Sequence, residues 1–275
     1  MIIGNKIFDN KNIQKIIVKN FEELASFYYK LLSEWMNSSY EVFQDIDKYR
    51  IILYLINKDF EYYIKNEEVE NYDNFFMYDK SLELEQINII EISKSLNIPK
   101  ESTRRKILSL EEFGVLQKIG KKIYIDRSAY KLVQPKNTLK NLCVLLSKIS
   151  EMLKNEYLIS SSINADIISD ILKENFSYCW YHFYQFIFII TKRWKLQLGD
   201  LEIFSVGMVI VCHSIVNKNY KGIGLNFSEY EKDMLNSEEG GVNTMSISEI
   251  THIPRPTVVR KLKFLIDKKY LHINE

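Results

Sequence analysis

The feature that most constrains this chain is that it repeats itself. Residues 98–110 read IPKESTRRKILSL and residues 253–265 read IPRPTVVRKLKFL. Pro99 matches Pro254, Ser102 matches Thr257, Arg105-Lys106 matches Arg260-Lys261 and Leu110 matches Leu265, each pair 155 positions apart. Asp45 and Asp200 share that offset, and each opens an apolar helical pattern. A longer helix precedes each: Phe21, Leu24, Tyr28, Leu31 and Trp35 in the first half, and Phe176, Trp180, Phe183, Ile187, Ile190 and Trp194 in the second. Steps of three and four place each set on one helix face. A fixed offset over several features is the signature of a duplicated unit. Pro135 is the natural break, giving modules at 1–135 and 136–275. Leu139, Leu142, Leu145, Leu146, Ile149 and Leu153 then predict a connecting helix, or equally a dimerisation surface.

Length agrees, since 275 residues and 32.7 kDa suit about two domains with a real core. Hydrophobic residues at 46% and charged residues at 27% exclude a disordered chain. Only 9 Gly and 4 Pro argue against a turn-rich all-β fold. Lys and Arg number 37 against 36 Asp and Glu, which excludes a uniformly basic coat. The charge is patterned instead. Residues 59–85 hold nine acidic and two basic residues, and 94–131 hold ten basic and four acidic. Residues 228–239 hold five acidic and one basic, and 252–272 six basic and one acidic. Each basic segment thus follows an acidic one. A charge run is usually solvated surface, but these two coincide with the repeat.

The first basic segment has a readable layout. Ile89 to Leu96 has the spacing of a short helix, and Asn97-Ile98-Pro99 breaks it, because the residue before proline avoids the α region. A second helix runs from about Glu101 to Phe113, with Thr103, Ile107 and Leu110 inward and Ser102, Arg104, Arg105, Lys106 and Ser109 outward. Gly114 ends it. Residues 115–119 and 122–126 predict a β-hairpin turning at Gly120-Lys121.

Helix, sharp turn, basic helix and basic hairpin resemble the winged helix-turn-helix transcription regulators of bacteria and archaea, broadly the MarR-like group. The resemblance covers about 40 residues of the first half and about 30 of the second. It implies a mostly α fold of two tandem winged helix-turn-helix modules with long helices and a small β-hairpin wing. It also implies a double-stranded DNA partner, with the second helix of each pair in the major groove. The first reading surface would be Lys100, Ser102, Arg104, Arg105 and Lys106. The second would be Arg255, Thr257, Val259, Arg260, Lys261 and Lys263, and the wing would bring Lys118, Lys121 and Lys122. An Arg fork bonds two acceptors on a guanine edge, whereas Lys is a point charge better suited to phosphate. The competing reading is a solvated helix face, or ion pairs to Glu101 and Glu111. In the second half the first helix, around 246–252, is short, and only one wing strand fits after Tyr270. The heads differ, KESTRRK against RPTVVRK, so a pseudo-palindromic target is expected.

Other chemistry finds no footing in the sequence. Cys143, Cys179 and Cys212 form no disulfide framework, which suits a reducing cytoplasm. The N-terminus lacks the pattern of a signal peptide. Cys179 and His182 have no second ligand pair for zinc, and no Walker or dinucleotide loop occurs, so neither enzyme activity, cofactor nor metal is expected. The aromatic run from Phe176 to Ile190 is shorter than a membrane span and reads as a buried core helix. Its alternative is the lining of a small-molecule effector pocket, with His182 and Gln185 as polar groups. The expected function is therefore a cytoplasmic regulator acting as an internal pseudo-dimer, or as a homodimer. The alternatives are a plasmid-type replication initiator and a protein-binding adaptor that uses its winged helices without DNA.

Overall fold

A computed structural model of the chain describes residues 2–3, 6–7, 9–77, 82–83, 89–120, 122–218, 224–235 and 241–271. These residues are mostly helical. The first repeat holds α1 (Asn10–Lys19), α2 (Phe21–Phe43), α3 (Ile46–Lys65), α4 (Tyr72–Met77), α5 (Ile89–Leu96), α6 (Lys100–Glu112) and α7 (Arg127–Leu132). The connecting helix is α8 (Lys136–Asn155). The second repeat holds α9 (Ala165–Glu174), α10 (Phe176–Leu198), α11 (Leu201–Lys218), α12 (Phe227–Leu235), α13 (Thr244–Thr251) and α14 (Arg255–Asp267). The offset of 155 carries α1, α2, α5 and α6 onto the bounds of α9, α10, α13 and α14 residue for residue.

The strands are short. β1 (Ile2–Ile3) and β2 (Lys6–Ile7) pair antiparallel. β4 (Leu116–Ile119) and β5 (Lys122–Ile125) form a hairpin, and β3 (Leu82–Glu83) adds to the free side of β5, giving the order β3-β5-β4. Leu116 lies opposite Ile125 and Lys118 opposite Ile123. Leu116, Ile123 and Ile125 are buried, while Lys118 and Ile119 stand in solvent. Only β5 alternates, with half-buried Tyr124 between Ile123 and Ile125; β4 is buried at Leu116 alone and stands clear of the core from Gln117 onward. No strand occurs among residues 268–271, and the expected second-wing strand otherwise falls on 272–275, outside the described residues.

Two compact units emerge, and neither is one repeat. One comprises residues 1–37, 136–170 and 205–275, and the other 38–135 and 171–204. The repeats split at Pro135 are thus units of sequence, whereas each compact unit combines pieces of both. In the second unit α3 packs along α10, and Phe176 of α10 meets Tyr72 and Phe75 of α4 with ring centroids 5.1 and 5.5 Å away. In the first unit Phe21 of α2 meets Phe227 and Tyr230 of α12 at 4.9 and 5.5 Å. Phe21 and Phe176 are repeat equivalents, as are Tyr72 and Phe227, and Phe75 and Tyr230.

Backbone bonds repeat the exchange. The Ser177 N–H donates to the Glu70 carbonyl at 3.0 Å, and the Glu70 N–H donates to Ser177 Oγ at 2.9 Å. At the equivalent positions the Glu22 N–H donates to the Leu225 carbonyl at 3.3 Å, and the Leu225 N–H donates to Glu22 Oε2 at 2.8 Å. Each unit therefore receives its long aromatic helix from the other repeat.

Helix ends follow from local chemistry. Asp45 caps α3 by accepting from the N–H groups of Asp47 and Lys48 at 2.9 and 3.2 Å, and Asp200 caps α11 through Glu202 at 2.8 Å. Gly199 stops α10 with a φ of +78°, its N–H donating to the Lys195 carbonyl. The aromatic run buries Phe176, Trp180, Phe183, Tyr184 and Ile187, as a core helix should, but it leaves Tyr178, Phe186 and Ile189 exposed. Among the described residues no single helix is long and apolar enough to cross a membrane.

Candidate nucleic-acid interface

The same two-helix turn is built twice. Ile92 and Ile247, Ile98 and Ile253, and Leu110 and Leu265 are buried at matching positions. Asn97 and His252 take the left-handed conformation at φ +52° and +59°. That reverses the chain before Pro99 and Pro254, the N-cap residues of α6 and α14. Ser93 Oγ donates to the Ile98 carbonyl at 2.7 Å, and Ser248 Oγ donates to the Ile253 carbonyl at the same distance. In the first turn buried Thr103 also donates to the Ile98 and Pro99 carbonyls. In the second, buried Val258 stands at that position and Thr251 donates to the Ile247 carbonyl at 2.7 Å.

Each turn fixes which side of its second helix faces water. On α6, Lys100, Arg104 and Arg105 are exposed and Ser102 is half-buried. Arg105 makes no ion pair with a described residue, whereas Arg104 folds back onto Glu101 at 2.6 Å. The Glu101 carboxyl is held below its usual range, first by that hydrogen bond. Both groups are fully solvated, and such an i,i+3 pair is readily given up to another anion. On α14, Arg255, Val259, Arg260 and Lys263 are exposed, and Thr257 and Lys261 are half-buried. Lys118 is exposed on the hairpin. Lys121 lies outside the described residues, as does the side chain of Lys122.

Lys106 departs from its expected outward position. It lies three residues after buried Thr103 and four before buried Leu110, on the border of the inward stripe. Its ammonium bonds Asp45 at the head of α3. Ser109, also expected outward, is turned the same way and interacts with Lys48 Nζ at 2.7 Å.

Beneath that contact lies a charge cluster with no local sequence signal. Arg50 is fully buried; it donates to Asp47 Oδ1 at 2.9 Å and to the Leu96 carbonyl, one residue before the turn, at 3.1 Å. Lys195 of α10 pairs with the other Asp47 oxygen. Burial pulls the Asp47 carboxyl up, but Lys195 and Arg50 outweigh it and hold the group below its ordinary value. The cluster ties the start of α3 to the turn, to α6 and to α10. At the position equivalent to Arg50 the second repeat has Ser205, whose Oγ lies 3.1 Å from Asn37 Oδ1.

Burial raises the Cys179 thiol and pushes Cys212 up to about 11, which keeps both protonated at neutral pH. Among the described residues no three His, Cys, Asp or Glu side chains are placed to hold a metal. A cavity of about 600 Å³ opens in the first unit, lined by residues that include Glu22, Phe27, Val144, Lys148, Ile215 and Tyr230. His182 and Gln185, the polar groups expected of an effector pocket, do not line it. Comparison with family models, with curated proteins and with solved structures finds no match to this chain.

Proposed function

We propose that the chain is a sequence-specific double-stranded DNA-binding transcription regulator, in which two winged helix-turn-helix units act as a pseudo-dimer. The observation that carries the reading is the pair Arg105 and Arg260. They occupy one repeat position, both are exposed, and each sits on a helix set by the same left-handed turn. An arginine there can fork onto a guanine edge in the major groove. Lys100, Arg104, Arg255 and Lys263 flank the two arginines and suit phosphate. Lys106, bound to Asp45, orients α6 instead of contacting the duplex. Lys118, exposed on the first hairpin, supports a further backbone contact.

The reading is tested by selecting bound sequences from a random duplex pool. Recovery of two unlike half-sites at a fixed spacing is expected. Affinity should fall steeply with salt as phosphate counterions are released. Arg105→Ala should cost about 1–3 kcal/mol on the selected site and much less on unrelated DNA. Equal losses on both would assign Arg105 to phosphate. Salt-independent binding, or no enriched sequence, would defeat the proposal.

A further inference from the structure

We infer that the cavity of the first unit is a binding site for a small organic cation with an apolar body. Its walls come from α2, α8, α9, α11 and α12, and Glu22, only 7% exposed, is the most deeply set of the charged side chains that line it. The repeat shows that this carboxylate is more than the fold requires. Glu22 Oε2 accepts from the Leu225 N–H at 2.8 Å, and at the equivalent place Ser177 Oγ accepts from the Glu70 N–H at 2.9 Å. A neutral hydroxyl closes the same joint, so the bond to Leu225 does not account for a charge there. Burying a carboxylate costs free energy that a nearby cation offsets. The space is not general to the fold either. Ile215, on the cavity wall, stands where the second unit has fully buried Phe60, whose ring packs on Phe75 at 4.7 Å and on Phe176 at 5.8 Å. The equivalents of those two rings are Tyr230 and Phe21, so of these three positions only Ile215 lacks a ring.

The lining selects the ligand. Lys148 is engaged by Glu23 at 3.0 Å and by Glu151 at 3.2 Å, two exposed carboxylates that more than neutralise it. Glu22 adds a further negative charge within, so the described lining attracts cations and repels anions. Phe27, Val144, Ile215 and Val216 supply an apolar wall, and Tyr230 adds an aromatic one. A volume of about 600 Å³ is in the range of pockets that hold drug-sized molecules. An ammonium or phosphonium ion carrying aromatic or branched alkyl groups matches all of this. Its charge is met by Glu22 and by ring faces, which attract cations, and its body is met by the aliphatic wall. None of the described lining residues belongs to α6 or α14, so the inference stands apart from the DNA reading.

Calorimetric titration of the full chain with tetraphenylphosphonium tests the site, with tetraphenylborate, an anion of nearly the same shape, as the control. The cation should bind with a Kd below about 100 µM, and the anion at least about 10-fold more weakly. Glu22→Gln keeps an oxygen for the Leu225 N–H but removes the charge. It should weaken the cation at least about 10-fold and leave the melting temperature of the free protein close to that of the wild type. Ile215→Phe brings in the ring that Phe60 provides in the second unit, so it should fold and, by filling the space, abolish binding; it carries the test if Glu22→Gln does not fold. No binding of the cation up to about 1 mM, equal binding of the anion, or undiminished binding by either folded variant would overturn the inference.

Discussion

Asp47 shows how one residue can set the geometry of a two-helix turn some distance from it. Its carboxylate is shared by buried Arg50 and by Lys195, and Arg50 reaches on to the Leu96 carbonyl beside the turn. Asp47→Asn leaves two poorly solvated cations without an anion, at a cost of about 3–5 kcal/mol at neutral pH. The pH dependence follows from the lowered pKa. The unfolded aspartate binds its proton first on acidification, so the contribution of Asp47 is whole above the ordinary value of 3.8 and is lost as pH falls through the lower folded value. Urea unfolding of the two proteins should therefore show a wide stability gap at pH 7 that narrows below pH 3.8. A gap of constant width would mean that Asp47 acts by packing rather than by charge. Nothing near Asp47 in the sequence announces this role, because Lys195 comes from the other repeat and Arg50 differs from other helix arginines only in being buried.

At the scale of elements, the turn between the short helices is where local sequence rules reach furthest. The break at Asn97-Ile98-Pro99, the start of α6 and the hairpin after Gly114 can all be read from proline, glycine and apolar spacing, and the structure has each of them. The rules act within a few residues, and so do these features. Lys106 marks their limit: it borders the buried stripe, and only the fold decides whether a lysine there faces water or Asp45. The left-handed residue yields a prediction. Asn97 holds φ at +52°, a conformation that asparagine tolerates and a β-branched side chain does not. Thermal unfolding should place Asn97→Gly within about 0.5 kcal/mol of wild type and Asn97→Val about 1–2 kcal/mol below it. Equal effects would show that the turn does not need the left-handed state.

For the whole molecule the decisive fact is that each compact unit is assembled from both repeats. The offset of 155 reveals two copies of a helical pattern, but periodicity cannot say whether an apolar face is buried by its own repeat or by the other. The partners of Phe176 lie in the first repeat, about a hundred positions upstream, and any aromatic helix face would satisfy the same pattern. The exchange predicts that the halves depend on each other. Residues 1–135 alone lack Phe176, Trp180, Phe183, Tyr184 and Ile187, all buried, and residues 136–275 alone lack Phe21, Leu24 and Ala25. Each large side chain contributes about 1.5–3 kcal/mol when buried, and a domain is stable by only about 5–15 kcal/mol. Five such losses are as large as that whole margin for the first half. Expressed separately, that half should show no cooperative thermal transition. Mixed with residues 136–275, it should recover helical signal and a single transition, because the exchanged contacts re-form between fragments. If 1–135 melts cooperatively on its own with native helicity, the first repeat carries a complete core, and the exchange is an embellishment of two independent modules.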